Sequence, residues 1–144
     1  MTALTPAQEQ RIAAKIDQVK REFGADIYGL LKEQNDLRLK GKGKLNQEPV
    51  VDRHSLRWTL AWRGENVSYE MNIIVRLEDD GQEAHVAQVW VHRHASTPVE
   101  FEGHTPTTRM HRLSGLDLTD IRNAIEVEWF GGESKHGGQI FTKR

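Results

Sequence analysis

The sequence predicts an α+β fold: an antiparallel β-meander of three to five strands with an N-terminal and a C-terminal amphipathic helix packed on one face. Three observations carry this. Apolar residues recur at helical spacing near the N-terminus, they do so again near the C-terminus, and between these segments "SLRWTLAWRGENVSYEMNIIVRLEDDGQ" alternates apolar and polar residues as a half-buried strand does.

The first helix starts at Thr5, where a hydroxyl cap is followed by Pro6 at the first helical position and by Gln8 three residues after the cap. Ile12, Ile16, Val19 and Phe23 then share one face and Gly24 offers a stop, so the expected span is Pro6 to Phe23. From Ala25 to Leu39 two assignments stay open: a short helix around Ile27, Leu30, Leu31 and Gln34, weakened by Gly29, or a strand. Lys40 to Pro49 reads as an exposed loop.

Leu56, Trp58, Leu60 and Trp62 alternate with Arg57, Thr59, Ala61 and Arg63, and a second alternation runs from Val67 to Leu77. A Gly64-Glu65 turn would pair Trp62 with Val67, Leu60 with Tyr69, Trp58 with Met71 and Leu56 with Ile73, apolar against apolar throughout. A third strand, Glu83 to His94, follows "EDDG". Two turns are open there. An Asp80-Gly81 turn would put Val86, Trp90, His92 and His94 on the core face. A Glu78 to Gly81 turn with Gly81 left-handed would instead bury Ala87, Val89 and Val91, and it is preferred because it buries fewer polar groups. The closing helix is expected from Leu118 to Trp129, capped by Asp117, stapled by Leu116 and Ile121, and stopped at Gly131. Residues 1–144 then form one domain with its core between about 5 and 130, and 131–144 are either a flexible tail or a terminal strand.

Composition narrows the chemistry. The chain has no cysteine, which excludes disulfides, thiolate metal sites and a cysteine nucleophile. Lys and Arg number 20 against 21 Asp and Glu, so no global basic field exists and any polyanion site must be local. With no basic start and no long apolar run, a soluble cytoplasmic protein is expected.

Of seven histidines, His85, His92, His94, His104 and His111 crowd into one stretch. His92 and His94 lie two apart, so on a strand they project from one face, and with Glu100 and His104 they form a candidate metal set. Ser96 or Thr97 with His94 and Glu100 supplies the ingredients of nucleophilic catalysis, but no nucleophile elbow surrounds them, and no catalytic residue is assigned. "RLKGKGKL" sets Arg38, Lys40, Lys42 and Lys44 at alternate positions. With Arg57 and Arg63 they make a candidate polyanion surface, though not a P-loop. In the preferred register Val86, Trp90, His92 and His94 lie beside Ile74 on the face away from the core, where a tryptophan, a valine and an isoleucine call for a cover. The function expected is therefore non-enzymatic and cofactor-free: binding of a protein partner, or self-association, as in bacterial or phage accessory and inhibitor proteins. Polyanion binding is the first alternative and a metal-dependent enzyme the second.

Overall fold

The computed structural model describes residues 4–65, 67–96, 109–113 and 115–134. The N-terminal helix is set by its first turn. Thr5 Oγ1 accepts from the Gln8 backbone N–H at 3.2 Å, while Gln8 Oε1 accepts from the Thr5 N–H at 2.8 Å, which is the reciprocal capping box.

From there α1 runs unbroken from Pro6 to Leu39. This overturns both the stop expected at Gly24 and the open helix-or-strand choice beyond it. Ile12, Ile16, Val19, Ile27 and Leu31 are buried, with Phe23 and Leu30 packed against the same core, so the apolar stripe continues across both glycines. A mid-helix glycine costs about 1 kcal/mol relative to alanine, whereas burying one more Ile or Leu contributes about 1.5–3 kcal/mol. The true end is a left-handed Lys40 (φ 53°) and Gly41 (φ 77°), with the Gly41 N–H donating to the Asn35 carbonyl at 2.9 Å.

Six strands follow: β1 (Lys44–Leu45), β2 (Val50–Asp52), β3 (Ser55–Gly64), β4 (Val67–Asp79), β5 (Ala84–Ser96) and β6 (Arg109–Leu113). They form one antiparallel sheet in the order β1-β3-β4-β5-β6, with β2 beside β1 on the same edge of β3, so the sheet is five strands wide. The segment expected to be loop thus contains β1, paired through Lys44 with Ala61 and Leu45 with Leu60.

The β3–β4 register differs by two residues from the expected one: Trp62 faces Tyr69, Leu60 faces Met71, Trp58 faces Ile73 and Leu56 faces Val75. A shift of two leaves every side chain on its own face, so apolar matching could not choose between the two registers. The aromatic pair does. Trp62 and Tyr69 stack at 5.3 Å, and the Tyr69 ring lies over Gly64, where a Cβ would stand 2.9 Å from it. Gly64 is therefore a strand residue, paired with Val67, that makes room for a ring.

On β5, Val89 and Val91 face the core as preferred, opposite Val75 and Ile73. The mechanism is not the expected one. Asp79 pairs with Ala84 across a four-residue loop in which Gly81 is left-handed (φ 101°) and Asp80 Oδ1 accepts from the Gln82 and Glu83 N–H groups. A β-bulge then intervenes, because Arg76 pairs with Gln88 but Leu77 with Val86. Ala87 is the extra residue. The bulge reverses the facing on its far side, so Val86 packs against the core beside Leu77, which corrects its expected place next to Trp90.

After Asp117, whose Oδ1 accepts from the Asp120 N–H at 3.1 Å, α2 spans Leu118–Ser134. It passes the stop expected at Gly131, as α1 passes Gly24. Ile121, Ala124, Ile125 and Trp129 join one buried cluster with the α1 stripe and the inward residues of β3, β4 and β5. α1 lies against β3, β4 and β5, and α2 against β5 and β6. Arg38 binds Glu126 at 2.7 Å and Arg122 binds Glu33, joining the helices directly. Among the described residues no helix is long and apolar enough to cross a membrane.

Candidate functional site

Antiparallel pairing arranges the outer sheet face in rows. Arg57, Ile74 and Trp90 form one row; Thr59, Asn72 and His92 the next; Lys44, Ala61, Glu70 and His94 a third; Arg63 and Ser68 begin the fourth. The candidate contact residues Ile74, Trp90, His92 and His94 are thus neighbours, and Val86 is not among them.

The second row is a polar strip at the centre of the sheet. Thr59 Oγ1 donates to Asn72 Oδ1 at 2.7 Å, and Asn72 is only 4% exposed. His92 lies next to it with Nδ1 shielded from solvent and without a hydrogen-bond partner among the described residues. Burial pushes the His92 imidazole below its ordinary value, the charge of His94 pushes it the same way, and Glu70 opposes both. The His92 and His94 rings stand 6.5 Å apart. Of the candidate metal set, Glu100 and His104 lie outside the described residues, as does Thr97. Among those described, no three His, Asp or Glu side chains gather closely enough to hold a metal ion.

The six candidate polyanion residues separate into different roles. Arg38 is helical, donating to Gln34 Oε1 at 2.6 Å and Glu126 Oε1 at 2.7 Å, with its guanidinium 5.4 Å from the Trp129 ring centroid. Lys40 is the left-handed helix cap. The single row expected of an extended chain therefore does not form. Arg57 stays exposed in the Trp90 row. Lys42, Lys44 and Arg63 converge instead on a cleft of about 500 Å³ at the hairpin end of the outer face, shared with Glu70, His94, Trp62 and Tyr69.

Two features that shape this cleft escape sequence reasoning. The first is a clamp on the lysine loop: Asn35 Oδ1 accepts from the Gly43 N–H at 2.8 Å, and its amide donates back to the Gly43 carbonyl at 3.4 Å. A Cβ on Gly43 would meet Asn35 Oδ1 and Leu60 Cδ1 at 2.8 Å and Leu39 Cδ1 at 2.9 Å. "KGKGK" looks flexible in composition, yet its second glycine, Gly43, is held on three sides. The second is an aromatic column in which Trp62 stacks between Tyr69 (5.3 Å) and Trp129 (4.8 Å). Its two ends carry guanidiniums, Arg93 at 4.7 Å from the Tyr69 centroid and Arg38 at Trp129. Arg93 shares the phase of Val89 and Val91, and its N–H donates to the buried Glu128 carboxylate at 2.7 Å. An arginine in phase with core valines was the visible signal.

A scan against protein-family models, a search of curated proteins and a search of solved structures each found no match to this chain. Function must therefore be argued from the geometry.

Proposed function

We propose that this chain is a small cytoplasmic binding protein, not a catalyst, and that the outer sheet face receives a protein partner with an acidic surface. The row Arg57–Ile74–Trp90 carries the proposal. Both helices bury their apolar stripes with the inward strand residues, on the opposite side of the sheet from this row. A half-buried tryptophan beside an isoleucine supplies the anchor that protein interfaces favour. The four rows around it hold Lys44, Arg57 and Arg63 against one carboxylate, Glu70. That imbalance selects a partner of opposite sign and speeds encounter more than it adds affinity.

The test is the native mass of the chain purified from its own cells, compared with a Trp90→Ser variant. The expected result is a complex heavier than the 16.5 kDa chain, weakened by salt and at least tenfold by the substitution (about 1.4 kcal/mol or more), while thermal unfolding is unchanged. A chain that stays at monomer mass, or a complex indifferent to Trp90, overturns the proposal. A mass that is a multiple of the chain's own would name a second copy as the partner.

A further inference from the structure

We propose that the cleft between the lysine loop and the hairpin end of the sheet binds the phosphate group of a small ligand. This goes beyond the protein-binding proposal, which centres on Trp90 two rows away on the same face and shares Lys44 and Arg63 with the cleft; binding of a small anion is read separately from the native mass. Charge is the first observation. Among the described residues several cations pair with carboxylates, as Arg11 does with Asp79, Lys32 with Asp36, Arg38 with Glu126 and Arg122 with Glu33, while others stand dispersed and exposed, as Arg57 does. Lys42, Lys44 and Arg63 have no ion-pair partner among the described residues, yet all three line one cleft. Unpaired like charges gathered at a concave surface repel one another and focus an attractive field for an anion.

Preorganisation is the second. Lys42 and Lys44 flank Gly43, whose backbone is clamped by Asn35, and Lys44 is also fixed in β1 opposite Ala61. The loop therefore holds its cations in place before any ligand arrives, which reduces the ordering cost of binding. Arg63 supplies the planar fork suited to phosphate oxygens, and the lysines act as point charges.

The walls decide what else fits. Trp62 has Tyr69 on one face and Trp129 on the other, and Tyr69 has Trp62 from β3 and Arg93 from β5. Both rings are therefore already engaged in stacking and cation contacts within the fold rather than held open for a base. The volume of about 500 Å³ suits a small molecule more than a polymer track. Glu70 is the one opposing charge, placed directly across from His94, and it fixes the sign of the test.

Calorimetric titration of the full chain with pyrophosphate at low salt should show one site with a dissociation constant below about 1 mM. The amides of Gly43, Ala61 and Glu70 should shift in nuclear magnetic resonance spectra of the same titration. Lys42→Ala with Lys44→Ala, and separately Arg63→Ala, should weaken binding at least about tenfold. Glu70→Gln should tighten it by about threefold or more, since it removes a repulsion. Arg57→Ala and Arg76→Ala, on the same face outside the cleft, should leave affinity within about twofold. Absence of binding at 10 mM pyrophosphate (an affinity weaker than about −3 kcal/mol), or binding indifferent to Lys42, Lys44 and Arg63, overturns the proposal. So does binding of duplex DNA tighter than that of pyrophosphate and equally dependent on Arg57, which would mark an extended polyanion surface instead.

Discussion

Trp58 is fully buried, and its indole N–H has no hydrogen-bond partner among the described residues. Leaving such a donor unpaired costs about 1–3 kcal/mol, and the volume of the ring, central in β3 opposite Ile73, must offset that cost. Phenylalanine would keep most of the ring and remove the donor. Trp58→Phe is therefore expected to lower stability by less than about 1 kcal/mol, against about 3–5 kcal/mol for Trp58→Ala. Urea unfolding of both variants checks this, and a Phe variant as unstable as the Ala one would show that the complete indole, not ring volume without its donor, is what the site requires. Gly43 is the opposite case, a residue defined by what it lacks. Two of the three atoms that an added Cβ would strike are leucine methyls, which can turn aside, but the third is the Asn35 oxygen that holds the loop. Gly43→Ala should cost about 1–3 kcal/mol and also weaken pyrophosphate binding, because displacing Asn35 releases the two lysines. An alanine variant with full stability and full binding would show that the loop needs no clamp.

At the scale of the element, the glycines of α1 behave differently. Nothing lies within 4 Å of a Cβ built on Gly24 or Gly29, and neither takes a positive φ. Their freedom is unused, so Gly24→Ala and Gly29→Ala should each stabilise the protein by about 0.5–1 kcal/mol; thermal melts of the single and double variants measure it, and a loss of stability would show that α1 bends there. The same two residues explain how a 34-residue helix was read as an 18-residue one plus an ambiguous segment. Glycine is a stop signal only where the chain goes left-handed, as at Gly41, and only the continuing burial of Ile27 and Leu31 distinguishes the two cases. The caps at Thr5 and Asp117 were legible because they are local chemistry. The face of each alternating strand was legible because period two survives a two-residue slip. The register was not, because it rests on Tyr69 lying over Gly64, and the place of Val86 was not, because a bulge between Arg76 and Leu77 carries no composition signal. The cleft was half legible: its lysines stood out, but Asn35, which holds them, looked like any polar residue on a helix.

For the whole molecule, ionic contacts tie α1 to distant parts of the chain, and they set its response to acid. Arg11 donates from Nε and Nη2 to the two Asp79 oxygens at 2.6 and 2.9 Å, joining the first turns of α1 to the end of β4. The Arg11 hydrogen bonds, helped by the Gly81 N–H, hold the Asp79 carboxyl down from 3.8 to about 2. A carboxylate whose value falls on folding stabilises the native state fully above its unfolded value, and that stabilisation disappears as pH drops through the folded one. Asp79 should therefore contribute above about pH 5 and lose its contribution between there and pH 2. His92 works in the same direction at higher pH. Its imidazole is held neutral by burial, so as pH falls below about 6.5 the unfolded chain gains a proton that the folded chain resists. Acid should thus weaken the fold in two stages, the first governed by His92 and the second by Asp79. Urea midpoints measured from pH 8 to pH 2 should show both. His92→Gln should flatten only the stage below about pH 6.5, and Asp79→Asn only the stage below about pH 5, with lower stability at neutral pH in the second variant because Arg11 loses its partner. If His92→Gln leaves the first stage unchanged, His92 is not the buried neutral group, and the polar strip of Thr59, Asn72 and His92 is open to water in solution.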